Sequence, residues 1–410
     1  MVVHLAMQRF SAFVESLHAT DFDEVRSRAT VAVENPEAFE EMRRFLIERY
    51  AGMEAVHSFM EPGGEVVDCI PAEQQPSLRK TGGALLPPPE PPLEPEGYQD
   101  APGFASPQPH IAPPQLHRDH HDQLGNQMLC PDGTVPLLRI TLDKLAAFDS
   151  LDAFLSGERQ ARYDASGTLR LFGKIWANAY DTRDNLGGAS GINVWSPQVL
   201  GTQSSASQQW FTSGTSASPF QSVECGYRAG PPFDAKPRLF VFYTPDGYNT
   251  LCYNDYHGNW VYRAGASHVL GAALTASQAG GPTVQYRMGF FLTEGNWWFN
   301  VGNDWVGYYP VSVFGNGRLA TGAASAGFGG EVHGAGSAFP TMGSGKKPAA
   351  GYGQAAYQHD VIISRASGAE SAVLVPEPTS ANCYGIDVTN NSGTSWGTYL
   401  FFGGPGGLNC

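Results

Sequence analysis

The sequence predicts a mainly β protein, an antiparallel sandwich or curved jelly-roll-like fold, with a helical segment ahead of it. Three observations carry this. From Leu169 to Cys410, short aromatic and β-branched runs such as Leu239–Tyr243, Gln285–Leu292 and Trp297–Val301 alternate with Gly, Asn, Asp and Ser, and no long helical pattern appears. The chain holds 49 glycines and 30 prolines, many for a helical protein. Charged residues make up 16% and aromatic residues 12%, which excludes a wholly disordered chain.

The elements follow in order. Residues 1 to about 60 read as a helical N-terminal extension. Asn35 is a good N-cap and Pro36 fits the first helical position, after which Phe39, Met42, Leu46, Tyr50 and Met53 recur at helical spacing. Residues 61–165 read as a small second unit. It opens with the strand-like piece Glu65 to Ile70 and contains a proline-rich linker over 84–116. Eleven residues from Pro87 to Pro114 are proline, a density that no helix or central strand survives. His117, Asp119, His120, His121 and Asp122 have the look of a metal cluster, but with no rigid scaffold around them they read as a solvated tail to the linker, and no metal site is assigned. Cys130 to Thr134 is a turn, Val135 to Ile140 an edge strand, and 141–157 a short helix. Residues 166–410 form the β domain, in which glycine-rich pieces such as Gly322–Gly330 and Gly343–Gly353 read as loops or bulges.

The net charge is −14 and no Lys/Arg cluster stands out, so a nucleic-acid partner is not expected. No run of about 20 apolar residues exists, so no membrane-spanning helix is expected. Met1 to Phe13 is interrupted by His4, Gln8 and Arg9 and does not read as a signal peptide. The six cysteines form no C-x-x-C pair. They permit three disulfides in fifteen connectivities. Cys69–Cys130, Cys225–Cys252 and Cys383–Cys410 are preferred because each stays inside one segment.

Familiar catalytic signatures are missing or misplaced. The one G-x-S-x-G match, Gly393 to Gly397, has no histidine after it, as a nucleophile elbow requires. No H-E-x-x-H and no phosphate-binding loop occur. Cys252 with nearby His257 lacks the helix start that would activate a thiol. Carboxylates remain. Glu224 stands among apolar strand neighbours in Phe220 to Tyr227, and Glu331 follows Gly329-Gly330, where backbone or substrate can approach closely. Spacing alone leaves both open as ordinary outward-facing strand residues.

Several pieces in order over residues 65–410 resemble the neprosin family. Val67-Asp68-Cys69-Ile70 with Gln75-Pro76-Ser77-Leu78, then Cys130-Pro131-Asp132-Gly133-Thr134-Val135-Pro136, resemble its activation-peptide segment. Ser207-Gln208-Gln209-Trp210, Ser222-Val223-Glu224-Cys225-Gly226 and Tyr243-Thr244-Pro245-Asp246-Gly247-Tyr248 resemble motifs of its catalytic part. So do Gly295-Asn296-Trp297-Trp298, Gly307-Tyr308-Tyr309-Pro310, Gly329-Gly330-Glu331-Val332 and Phe402 to Gly407. Each match is weak; together and in order they are specific. Phe328 stands where the family has tryptophan. Cys225 replaces a small residue. His257 replaces the second cysteine of a loop that keeps Cys252, so Cys225–Cys252 reads as a substitute pairing. The helical extension has no family counterpart.

The resemblance implies two bent, packed antiparallel sheets as in the eqolisins, and a secreted glutamic endopeptidase that cuts beside proline at acid pH once its pro-region is removed. It implies Glu224 and Glu331 as the catalytic pair and requires no cofactor. Two carboxyls within hydrogen-bond range share one proton, so the pair is expected to activate water in its singly protonated form. Gln208 is the candidate oxyanion donor. Trp297, Trp298, Tyr308 and Tyr243 are candidates for an apolar wall against a proline ring. The partners expected are a proline-containing peptide and, as an intramolecular inhibitor, the chain's own pro-region, cleaved around residues 141–168. A glycosidase, with its more widely spaced carboxyls, or a lectin-like binding sandwich are the competing expectations.

Overall fold

The computed structural model describes residues 7–28, 31–90, 107, 109–112, 114–157, 161–163, 169–171, 173–213, 219–335, 337–377 and 382–410. Much of the proline-rich linker and parts of the expected cleavage region, 158–160 and 164–168, lie outside these residues.

The front half is helical and then β. Helices α1 (Phe10–Ala19) and α2 (Phe22–Arg26) precede α3 (Pro36–Tyr50), whose N-cap Asn35 accepts the Ala38 N–H at 2.7 Å. The apolar stripe of α3 is fully buried at Phe39, Met42, Leu46 and Tyr50. The helices stop short of residue 60: His57–Met60 is strand β1, paired antiparallel with β2 (Val66–Pro71), which in turn pairs with β3 (Thr134–Leu138) at the sheet edge. The short runs between glycines here fit a small sheet better than a helix turn. Helix α4 (Pro76–Thr81) lies between these strands in sequence, and α5 (Leu142–Ala146) and α6 (Leu151–Ser156) follow them.

The remainder is an antiparallel β-sandwich. In chain order its main strands are β4 (Lys174–Asp181), β5 (Gly187–Asn193), β6 (Ser204–Ser213), β7 (Gln221–Ala229), β8 (Arg238–Thr244), β9 (Cys252–Tyr253) and β10 (Val261–Tyr262). They continue with β11 (Val284–Thr293), β12 (Asn296–Val301), β13 (Asp304–Pro310), β14 (Ser325–His333), β15 (Ala356–Arg365), β16 (Val375–Pro376), β17 (Gly385–Thr389) and β18 (Tyr399–Gly403). One sheet has the order β9-β8-β7-β6-β14-β4-β16. The other has β10-β13-β12-β11-β5-β15-β18-β17, with two short strands added at Gly368–Ser371 and His110–Ile111. The second addition is the end of the linker, pairing parallel with β11.

Alternation along each strand sorts the side chains. Phe211, Val223, Cys225, Val241 and Phe328 of the first sheet meet Met288, Phe290, Trp297 and Tyr309 of the second in one buried core. The front half joins that core, with Phe154 of α6 stacked on Tyr256 at 5.0 Å. Buried ion pairs tie the halves together. Arg49 of α3 pairs with Asp255, and Glu61 lies 3.2 Å from Arg238 while accepting the Ala273 N–H.

Two disulfides form, Cys69–Cys130 and Cys383–Cys410. The expected Cys225–Cys252 bond does not; both cysteines are free and buried. Strand β8 separates them, with Cys225 opposite Val241 and Cys252 opposite Tyr243. Two strand spacings amount to about 9–10 Å, more than a disulfide spans between Cα atoms. Among the described residues no helix is long and apolar enough to cross a membrane.

Candidate active site

The site is built on the outer face of the first sheet by the register of three strands. On β7, Glu224, Gly226 and Arg228 share that face. Across β6 they stand opposite Trp210, Gln208 and Ala206, and across β14 the same three residues oppose Gly327, Gly329 and Glu331. Gln208 therefore lies on the diagonal between the two glutamates. Gly226 and Gly329, its partners in register on either side, carry no side chain, and a Cβ at either would run into the neighbouring strand's backbone.

Glu331 is held by cations. Lys174 Nζ donates to its Oε1 at 2.8 Å, and Trp176 Nε1 donates to Oε2 at 2.8 Å. Trp176 is its cross-strand partner on β4, and Lys174 is two residues along on the same face. Arg228 reaches within 3.8 Å of Oε1 across the row whose middle member is the small Ala206. Burial opposes ionisation of Glu331, but Lys174 and Arg228 outweigh it and hold the carboxyl below its ordinary value. Lys174 in turn stays firmly protonated: burial works against its charge and Glu331 more than restores it.

Glu224 has the opposite surroundings. Tyr248 Oη donates to its Oε1 at 3.0 Å and Gln208 Nε2 to its Oε2 at 3.2 Å, both neutral donors. Burial first, and then the negative charge of Glu331, push its pKa up to about 7. None of these hydrogen bonds joins the two carboxyls. The proton is assigned by contrasting environments, not by a direct carboxyl–carboxyl bond of the kind anticipated from the sequence.

Phe242, Tyr248, Leu251 and Tyr253 wall the pocket, and Ser156 and Gly157, from the end of α6, roof it. The space left is about 20 Å³, room for about one water. Gly157 has φ +59, a Cβ there would meet Pro232 Cδ at 2.6 Å and Tyr253 Cε2 at 2.7 Å, and its carbonyl accepts from Arg228 at 3.5 Å. Only glycine fits that turn.

The expected aromatic wall lies elsewhere. Trp297 is in the core between the sheets, stacked on Phe211 and donating to the Leu319 carbonyl at 2.8 Å. Tyr243 is also in the core, edge-on to Tyr309 at 4.8 Å. Trp298 and Tyr308 pack together at 4.4 Å on the far face of the second sheet. None of the four lines the carboxylate pocket. The sequence reading missed Lys174, Trp176, Arg228, Tyr248 and Tyr253. Arg228 had a signal, since it lies two strand periods from Glu224, and Tyr248 ended a motif already noted; Lys174 had none.

The sandwich thus holds two buried, oppositely tuned glutamates in one pocket, with the Gln208 amide beside them. The sequence model of the Neprosin family matches residues 201–405, half of the chain, and spans both glutamates. The chain belongs to the Neprosin family. Among solved structures it is similar to SCP-B, a member of the Eqolisin family of peptidases, in a complex with the tripeptide Ala-Ile-His, at 10% identity and TM-score 0.33 over 56% of this chain and 97% of that one. It is similar too to scytalido-glutamic peptidase with a peptide-based transition-state analogue, at 10% identity and TM-score 0.34 over 56% of this chain and 98% of that one.

Proposed function

We propose that the chain is the zymogen of a secreted glutamic endopeptidase that hydrolyses peptide bonds beside proline at acid pH. In this reading residues 1–60 are an added extension, helical as far as Tyr50, with 61–165 the pro-region and 166–410 the catalytic domain. The observation that carries it is the opposite tuning of Glu224 and Glu331 in one pocket.

At acid pH Glu224 is protonated and Glu331 is a carboxylate. Glu331 takes a proton from water as the water oxygen attacks the scissile carbonyl carbon. Glu224 and the Gln208 amide donate hydrogen bonds to the carbonyl oxygen as it becomes an oxyanion. When the tetrahedral adduct collapses, the proton held by Glu331 passes to the leaving nitrogen, the C–N bond breaks, and Glu331 is again ionised. Lys174 and Arg228 keep Glu331 charged at acid pH, at the cost of a weaker base. Tyr253 and Phe242 offer apolar surface in the same pocket as the carboxylates.

The roof from Ser156 and Gly157 supports latency: a backbone carbonyl of the front half occupies the place beside Arg228 where substrate would lie. The two disulfides fit an oxidising, extracellular setting. The test is incubation of the purified protein with a proline-rich peptide across pH 3–8, beside Glu224→Gln and Glu331→Gln. The variants should lose about 10²–10⁴ in rate. Wild-type cleavage by either one would refute the assignment.

A further inference from the structure

The second sheet carries an aromatic surface that catalysis does not use, and the chain's own linker is seated on it. On the outer face of β11 to β13, Phe291, Trp298, Trp305 and Tyr308 form a cluster separate from the main core. Trp305 meets Phe291 edge-on at 5.9 Å and Trp298 at 5.9 Å. The linker crosses here: Trp305 Nε1 donates to the Pro89 carbonyl at 3.0 Å, and the Leu86 backbone bonds to the Tyr308 hydroxyl. At the linker's other described end the motif repeats. Trp396 Nε1 donates to the Pro107 carbonyl at 2.9 Å, and Trp396 packs against Tyr357 at 4.9 Å and Phe401 at 6.1 Å.

Two indole N–H groups, each set in a patch of aromatic rings and each donating to a proline carbonyl, are how extended proline-rich chains are gripped. Such a chain makes no internal hydrogen bonds, so its carbonyls are free to accept, and its rings lie flat on aromatic surface. Trp298 Nε1, fully buried in the first patch, has no hydrogen-bond partner and leaves a donor unused there. Vacated, the first patch would expose Trp305 and Tyr308 together, an apolar surface that a soluble protein does not leave empty without a purpose.

We infer that these two patches form a polyproline-binding exosite, filled by the linker in the full chain and taken over, once the front half has left, by a proline-rich stretch of the protein substrate. The inference rests on the zymogen reading above and adds to it the substrate class: long, proline-rich polypeptides, held on the face opposite the carboxylates while another part of the same chain is cut.

The binding test does not depend on activation. In the full chain, residues 84–90 are replaced by Gly and Ser, with Glu331→Gln to prevent turnover. A fluorescein-labelled peptide of the natural 84–90 sequence is then titrated and followed by anisotropy. Saturable binding is expected, with at least tenfold weaker binding to the unmodified chain, whose seat is filled, and for a peptide with its prolines replaced by alanine. Trp305→Phe, which keeps the ring and removes the N–H, should weaken binding about fivefold, the loss of one hydrogen bond. No binding to the vacated chain, equal binding of the alanine peptide, or no effect of Trp305→Phe and Trp305→Ala would overturn the exosite.

A kinetic arm uses the acid-processed enzyme and does not need the Gly/Ser chain to fold. Trp305→Ala should raise KM for a long proline-rich protein about tenfold or more and leave kcat, and all constants for a short peptide, unchanged. If short and long substrates respond alike, the exosite fails while the peptidase stands. If nothing is hydrolysed, the peptidase reading fails and the anisotropy result alone decides the exosite. If processed enzyme keeps its seat filled by retained front half, the patches are a latch only and the inference is lost.

Discussion

Lys174 Nζ lies 2.8 Å from Glu331 Oε1, while the hydrogen-bond donors to Glu224, Tyr248 and Gln208, are neutral. One carboxyl therefore faces a cation and the other faces dipoles.

The activity profile should carry both signatures. In the proposed mechanism the competent form has Glu331 ionised and Glu224 protonated, so kcat/KM should rise with pH through a value below the ordinary carboxylate value and fall again above that value as Glu224 ionises. Lys174→Met removes the main charge that depresses Glu331. The acid limb should then move up by about one pH unit or more, with the alkaline limb nearly fixed. An unmoved acid limb in the variant would assign the depression to Arg228 and the Trp176 hydrogen bond.

Stability should respond at Glu224 in the opposite sense to most carboxylates. Its folded value of about 7 lies above the ordinary 4.5, so the folded state binds this proton more tightly than the unfolded chain. The group's contribution is fully present below about 4.5 and is lost as pH rises through about 7. Glu224→Gln, which cannot ionise, should raise stability at pH 8 by up to ~3 kcal/mol, read as a higher Tm, and change little at pH 4. Thermal melts of the two proteins at both pH values decide it.

Gly157 should control latency. Any Cβ there collides with Pro232 and Tyr253, and its φ of +59 strains other residues. Gly157→Val should lift the α6 roof and speed acid activation several-fold without altering kcat of the processed enzyme. The measurement is the time course of peptide hydrolysis after acidification. An unchanged lag would show that the roof does not govern access.

Thiol counting checks the cysteine arrangement. With two disulfides among six cysteines, unfolding without reductant should release two reactive thiols, at Cys225 and Cys252, and the folded protein none. Burial pushes Cys252 up to about 11 and Cys225 well above its ordinary value, so neither presents a thiolate at neutral pH. Absence of free thiol after unfolding would restore the third bond.

Much of the scaffold was legible because its signals are local. Asn35-Pro36 starts a helix by capping chemistry, and the stripe from Phe39 to Tyr50 says which side it buries. Glu224, Gln208 and Glu331 line one pocket, and what pointed to them was motif order, not periodicity. The aromatic wall failed for a reason visible in the sequence: Trp297 and Trp298 are neighbours on a strand and must face opposite ways. One went to the core and the other to the far face. Lys174 could not be found because its partner, Glu331, is distant in sequence and meets it only through the pairing of β4 with β14.

The Cys69–Cys130 bond closes a ring of chain that contains the whole linker. A nick inside that ring cuts the backbone and frees nothing, because both new ends remain tethered to one body. After a scission beyond Gly157 the front half would have to let go of two opposite sides of the sandwich at once. Departure would then be a slow, separate event after the cut. Gels would show processed polypeptide before any hydrolysis is measurable, and concentrated protein, where rebinding competes, would wake later than dilute protein.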